Sequence, residues 1–331
     1  MISLPPVLLA VLAALFLWWF STGVLLWLAR RALAADAGGM DGGGAGIVLS
    51  GGQGWRRGQT TALIGASGLL IVSLWGAAAL GNLATVEGAY LSFLCGLGAW
   101  GFVELTFLTG VLTGPITRPC PPQATGLRRF GLAVGTLLWH ELAILAVGAV
   151  LIALTWGAPN QTGTWSFALL MALRISAKLN LFLGVPYPPT ALLPGPLAHL
   201  ESYFRVRRFT LLLPLAVTTA TALATLVAWR AASPGLDPFS ATAYALFWTL
   251  LVLGIAEHWF LILPVRESAL WRWFLEREET PDPTSRNALH VAKGRVKASE
   301  AGVVGTLRPY VGATTDGTGK DKGGSASPEA A

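Results

Sequence analysis

Seven stretches of the chain are nearly free of charge: residues 4–28, 60–82, 88–113, 130–156, 165–184, 209–229 and 242–263. As helices rising about 1.5 Å per residue, each can cross a hydrocarbon core of ~30 Å. The pattern predicts an all-α polytopic integral membrane protein, a bundle of about seven transmembrane helices. The first run ends in Arg30-Arg31, ahead of Ala32-Leu33-Ala34. It lacks a positive n-region and exceeds an ordinary h-region, so it reads as an uncleaved anchor and the first span. Residues 38–54 form a glycine-rich polar loop with no strand-turn-helix context for a phosphate cradle. Trp271-Arg272-Trp273-Phe274 is a short amphipathic stretch suited to an interface. From residue 279 the chain turns to Pro, Gly, Ser, Thr and charge. The expected division is a membrane domain, 1–278, and a disordered cytoplasmic tail, 279–331.

Charge in the connections sets an expected orientation. Arg30, Arg31, Arg56 and Arg57 lie in the first loop, Arg118, Arg128 and Arg129 in the third, and Arg205, Arg207 and Arg208 in the fifth. The second loop carries Glu87, the fourth no charge, and the sixth Arg230 and Asp237. Basic and neutral loops alternate, which by the positive-inside rule puts the N-terminus in the periplasm or exterior and the C-terminus in the cytoplasm. The expected arrangement is a membrane crossed several times.

Composition narrows the class further. The 331 residues are 53% hydrophobic and 12% charged, about half the charge of a soluble domain. The 14 Trp suit interfacial belts, with Trp156, Trp165 and Trp229 at the expected outer boundaries. Net charge is +6, with the charges clustered in a few loops and the tail, a membrane-orientation pattern and not a nucleic-acid surface. Two cysteines, Cys95 and Cys120, have neither disulfide-framework nor zinc-site spacing.

Against this apolar background, ionisable residues inside the spans carry the chemistry: Glu104, His140, Glu141, Arg174, Lys178, Glu257 and His258. Such residues are costly within a bilayer and mark function by default. Counted from the cytoplasmic ends, Glu104, His140 and Arg174 lie ~14–15 Å deep and Glu257 ~10 Å, a single layer. Three readings stand open. Arg174 and Lys178, four apart on one face, can neutralise two glutamates in a packing cluster. Glu104, His140, Glu141, Glu257 and His258 are the ligand types of a transition-metal centre, and His140 or His258 could ligate a magnesium tetrapyrrole. Against the metal, no Glu-x-x-His pair is present, and adjacent residues point about 100° apart on a helix. The third reading is a proton or substrate path.

Several longer motifs, in order, carry a resemblance: Trp18-Trp19-Phe20-Ser21-Thr22-Gly23, Phe107-Leu108-Thr109-Gly110 with Thr113-Gly114-Pro115, and His140-Glu141-Leu142-Ala143. They continue with Thr155-Trp156-Gly157, Pro159-Asn160-Gln161, Ser176-Ala177-Lys178-Leu179-Asn180, Gly184-Val185-Pro186 and Glu257-His258-Trp259-Phe260-Leu261. Over roughly residues 5 to 275 the chain resembles the PuhE family, photosynthetic complex assembly protein 2 of purple phototrophic bacteria. The resemblance implies a multi-pass protein of the bacterial inner (cytoplasmic or intracytoplasmic) membrane, an assembly factor for the reaction centre and light-harvesting complex that affects bacteriochlorophyll supply or insertion. It implies reaction-centre or light-harvesting subunits, or pigment-synthesis enzymes, as partners beside the lipid bilayer. It brings no catalytic residue set, so whether the protein is an enzyme stays open. The alternative is a membrane metalloenzyme acting on a tetrapyrrole or isoprenoid. Bacteriochlorophyll and a transition metal are the cofactors that these readings allow.

Overall fold

The computed structural model of the protein describes residues 6–38, 56–190, 193–208 and 210–264. The expectations for the glycine-rich loop, the amphipathic stretch at 271–274 and the tail fall almost wholly outside these residues. The described part is all-α, with seven long helices, one 3-10 helix and no strand. The helices are α1 (Pro6–Gly38), α2 (Arg57–Leu80), α3 (Val86–Leu108), α4 (Gly126–Leu154), α5 (Thr162–Leu183), α6 (Leu212–Ala231) and α7 (Pro238–Phe260). The 3-10 helix is Gly195–Tyr203, in the connection between α5 and α6. All seven α-helices are long and apolar enough to cross a membrane.

The hub is α3, with 56% of its apolar window buried within the bundle, against 17% for α1, α5 and α6. It packs on α1, α2, α5 and α7, while α6 lies on the outer side of α7. Lipid tails are as apolar as leucine, so close backbone packing must hold such helices together. At the crossing of α3 and α5, a Cβ on Gly96 would come within 2.4 Å of the Gly163 carbonyl oxygen. One on Gly163 would come within 2.2 Å of the Ser92 carbonyl. Ser92 also accepts from the Gly163 N–H through its hydroxyl, at 2.9 Å. This contact sets the spacing at which side chains on α3 and α5 meet further along.

Away from that crossing, Asn160 joins two connections at one end of the bundle. It is fully buried, and its Nδ2 donates to the carbonyls of Leu83 at 3.0 Å and Gly88 at 2.9 Å, with Leu80 at 3.3 Å. Its Oδ1 accepts from Thr162 N–H at 3.2 Å, capping the start of α5.

Two element boundaries differ from the hydrophobic pattern for physical reasons. Helix α1 runs on through Arg30 and Arg31 to Gly38, with the Arg31 guanidinium 4.7 Å from the Trp27 ring centre. A change from apolar to polar ends a span without ending its helix. Helix α3, by contrast, stops at Leu108, five residues short of the apolar run. There Gly110 takes φ of 79°, its N–H donates to the Phe107 carbonyl, and the Val111 N–H donates to the Thr106 carbonyl, a Schellman termination. The segment beyond turns back along α4, where Ile116 N–H donates to the Gly135 carbonyl and His140 N–H to the Thr113 carbonyl. Gly114 permits this approach, since a Cβ there would lie 2.1 Å from the Gly135 oxygen.

The long proline-rich connection after α5 folds over the bundle. Val185 and Val206 form a parallel bridge, and Tyr187 N–H donates to the Leu261 carbonyl at 3.1 Å. Within the 3-10 helix, Leu197 and Leu200 are buried against Phe107 of α3.

Candidate functional site

The charged residues of the spans meet in pairs. Arg174 Nη2 donates to Glu104 Oε2 at 3.0 Å, joining α5 to α3. One turn further on, Lys178 Nζ donates to Glu141 Oε1 at 2.6 Å, joining α5 to α4. The four-residue spacing puts both cations on one face of α5, each opposite its own carboxylate. Glu257 of α7 stands near enough to Arg174 to act on it electrostatically and lines the same space.

The two histidines sit differently. His258 Nδ1 lies 2.7 Å from the Gly254 carbonyl, which can only accept, so the neutral ring carries its proton on Nδ1. Its Nε2 then accepts from the Ser176 hydroxyl at 2.9 Å. Both nitrogens are thereby used within the protein. His140 is fully buried, and neither ring nitrogen reaches a hydrogen-bond partner. The Val103 backbone faces it without attaining hydrogen-bonding geometry. Its ring stacks on Phe107, centroids 4.3 Å apart at 29°, and Lys178 Nζ lies 5.9 Å from the centre of the same phenyl ring. Adjacent residues on a helix diverge by about 100°, so His140 turns to α3 while Glu141 turns to α5.

Beside this layer is a cavity of about 330 Å³, lined by α1, α3, α4, α5 and α7 and by the connection after α5. That volume lies at the lower end of the ~300–1,000 Å³ usual for small-molecule sites. Its charged wall is Glu104, Arg174, Lys178 and Glu257, and most of the rest is leucine and aromatic surface, including Trp18, Trp100 and Phe107, with Thr136 bonded to the Ala133 carbonyl of its own helix. Ser21 and Thr22 also line it, but their hydroxyls donate to the Trp18 carbonyl of their own helix, at 3.2 and 2.8 Å.

The 3-10 helix Gly195–Tyr203 closes one side of the cavity through Leu197, Leu200 and Tyr203. Arg129 secures its end. This buried arginine donates from Nη2 to the Tyr203 carbonyl at 2.9 Å, with the Ser202 and Phe204 carbonyls at 3.4 and 3.5 Å. Its guanidinium also lies 5.3 Å from the Phe182 ring centre. Tyr203 donates its hydroxyl to the Arg118 carbonyl at 3.2 Å, and burial raises its phenol above the ordinary value.

Of the seven ionisable residues that the sequence singled out, Glu104, Arg174, Lys178 and Glu257 line one cavity and Glu141 pairs with Lys178, while His140 and His258 do not line it. It gave Arg129 only as a loop charge, and Phe107, which separates His140 from the cavity, carried no signal beyond being apolar. The five candidate metal donors are not brought to one point: Glu104 pairs with Arg174, Glu141 with Lys178 and His258 with Ser176, while His140 stacks on Phe107. Among the described residues, no three His, Cys, Asp or Glu side chains form a group that could hold a metal ion. Nor do the histidines fit an axial ligand of a magnesium tetrapyrrole as they are arranged. His140 stands behind Phe107 and His258 has both nitrogens engaged.

Comparison with known proteins adds a family. The family described as "Protein of unknown function (DUF3623)" matches residues 4–282. The chain is also similar to "Uncharacterized 30.4 kDa protein in puhA 5'region" of Rhodobacter capsulatus, with 39% identity over 276 residues. That similarity covers 83% of this chain and 93% of the relative. No solved structure matches at a significant level. With the match running through all seven long helices, the chain belongs to the DUF3623 family.

Proposed function

We propose that this protein is an integral membrane assembly factor for the photosynthetic reaction centre and light-harvesting complex, acting on bacteriochlorophyll supply or insertion. One structural observation carries the reading. A ~330 Å³ apolar cavity lies against paired charges inside the bundle, under a pinned 3-10 helix. A cluster serving packing alone would close such space, because interiors fill to crystal-like density. The motifs shared with the photosynthetic assembly family, and the puhA context in the relative's printed name, supply the biological setting.

In this reading the cavity holds an apolar molecule while a partner subunit receives it. Glu104, Arg174 and Lys178 line the polar end. Glu141 fixes Lys178, and His140 and His258 position α3, α4, α5 and α7 around the cavity. The protein sits in the bacterial inner membrane with its N-terminus outside and its C-terminus in the cytoplasm, as the loop arginines direct.

The test is deletion of the gene in a phototrophic host, followed by near-infrared absorbance of the membranes. Loss of core-complex absorbance, restored by the wild-type gene, supports assembly. Normal complex levels in the deletion strain contradict it. Absorbance and metal analysis of the protein purified from that host in mild detergent checks the occupant. Stoichiometric transition metal without an apolar molecule would favour the metalloenzyme instead.

A further inference from the structure

Taking the cavity as the binding site proposed above, we infer that its occupant is an uncharged amphiphile. An apolar chain fills the cavity and ends in an ester, ketone or hydroxyl oxygen that accepts a hydrogen bond from Arg174.

The charge arrangement dictates the head. Arg174 is met by Glu104 at 3.0 Å and Lys178 by Glu141 at 2.6 Å, so each cation in the wall already has its carboxylate. A ligand bringing its own negative charge would displace one glutamate or remain uncompensated in a low-dielectric site, and either is unfavourable. A cationic head would meet the Arg174 guanidinium, and Glu257, the remaining carboxylate of the wall, already acts on that same guanidinium. A neutral oxygen avoids both problems.

Arg174 still has hydrogen bonds to give. A guanidinium carries five N–H donors in a planar fork, and here one nitrogen, Nη2, serves Glu104. The Arg174 side chain is 39% open, whereas that of Glu104 is 10% open. The ion pair therefore holds the guanidinium in place while leaving part of it available at the cavity wall. An arginine fixed by a carboxylate donates to a neutral acceptor without reorganising.

The remainder of the cavity suits a chain. Leu25, Leu97, Trp100 and Leu170 line it from the helices, and Leu193 and Leu197 from the covering connection. Among the described lining residues, the hydroxyl groups are already bonded to backbone carbonyls, those of Ser21, Thr22 and Thr136 within their own helices and that of Tyr203 to Arg118.

The test uses the full-length protein in nanodiscs and probes with a diazirine in the tail. The heads are a straight-chain methyl ester, a straight-chain alcohol, an isoprenoid alcohol, a carboxylate and an amine. Labelled peptides are mapped by mass spectrometry. The neutral probes should label α3, α5 and residues 195–203 at least about tenfold more strongly than the charged ones. Unlabelled neutral compound should compete, and Ala177→Phe, which fills the space beside Arg174, should abolish labelling. Whether the straight-chain or the isoprenoid probe labels better names the source of the chain.

Equal or stronger labelling by the carboxylate or amine overturns the neutral head and leaves the cavity as a binding site. If no probe labels cavity peptides, both the inference and the binding reading fall, independently of what the deletion strain does. Should Ala177→Phe fail to insert, competition on the wild-type protein decides between the same outcomes.

Discussion

Arg174 and Glu104, 70 positions apart in the chain, meet at 3.0 Å, further along α5 and α3 from the glycine crossing of the two helices. The two ends of this pair differ. Glu104 is enclosed, while Arg174 opens partly to the cavity. Stranding a buried charge costs about 3–5 kcal/mol, and a partly solvated one costs less. Arg174→Met should therefore destabilise by about 3–5 kcal/mol, and Glu104→Leu by clearly less. The double substitution should recover most of the loss. Unfolding in mixed detergent micelles measures all three, and equal single-variant losses with no recovery would contradict the pairing.

The crossing that brings these residues together depends on two glycines. Gly163→Leu would drive a side chain into the Ser92 carbonyl, which lies 2.2 Å from the position of a Cβ. Overpacking of this kind costs about 1–3 kcal/mol and moves helices apart. Cross-linking of cysteine pairs introduced on α3 and α5 should fall in this variant, and unchanged cross-linking would refute the account.

Asn160 should be intolerant even of its closest relative. Asn160→Ala leaves the Leu83 carbonyl without its donor, at about 1–3 kcal/mol for the unsatisfied group, and removes a second bond to the Gly88 carbonyl. Asn160→Asp should be worse, because it sets a carboxylate oxygen against the same carbonyls. Thermal stability in detergent orders the three proteins, and Asp at or above Ala would contradict the hydrogen-bond assignment.

Much of this architecture can be read from the residues. Nearly uncharged runs, with arginine clusters in alternate loops between them, give seven helices, and the four-residue interval from Arg174 to Lys178 gives a face that two glutamates can answer. What periodicity does not reveal is direction. His140 and Glu141 are neighbours in sequence, yet one stacks on Phe107 and the other pairs with Lys178. Likewise, His258 is tied up by a serine on another helix and a carbonyl on its own. A donor set judged by residue type therefore looks like a metal site until its members are placed. The short end of α3 was hidden because residues 109–113 are apolar, and Gly110 and Gly114 act through backbone geometry, not polarity.

Arg129 illustrates a charge whose role depends on the fold. Read as a loop cation it orients the protein, but in place it holds the end of the 3-10 helix over the cavity. Arg129→Gln should cost about 1.5–3 kcal/mol, the range for hydrogen bonds to a charged group. Amide hydrogen exchange should rise across residues 195–204 while α3 stays protected. Unchanged exchange there would mean that the covering segment does not depend on Arg129.

The central claim is that the cavity beside Arg174, Glu104 and Lys178 is where the protein acts. Ala177→Phe tests it most directly, since Ala177 lines the cavity and the change adds bulk without altering charge. The measurement is near-infrared absorbance of membranes from a phototrophic host carrying this variant, beside an immunoblot for the protein. The account predicts loss of most core-complex absorbance while the variant inserts at the wild-type level. Wild-type absorbance with the cavity filled would contradict it.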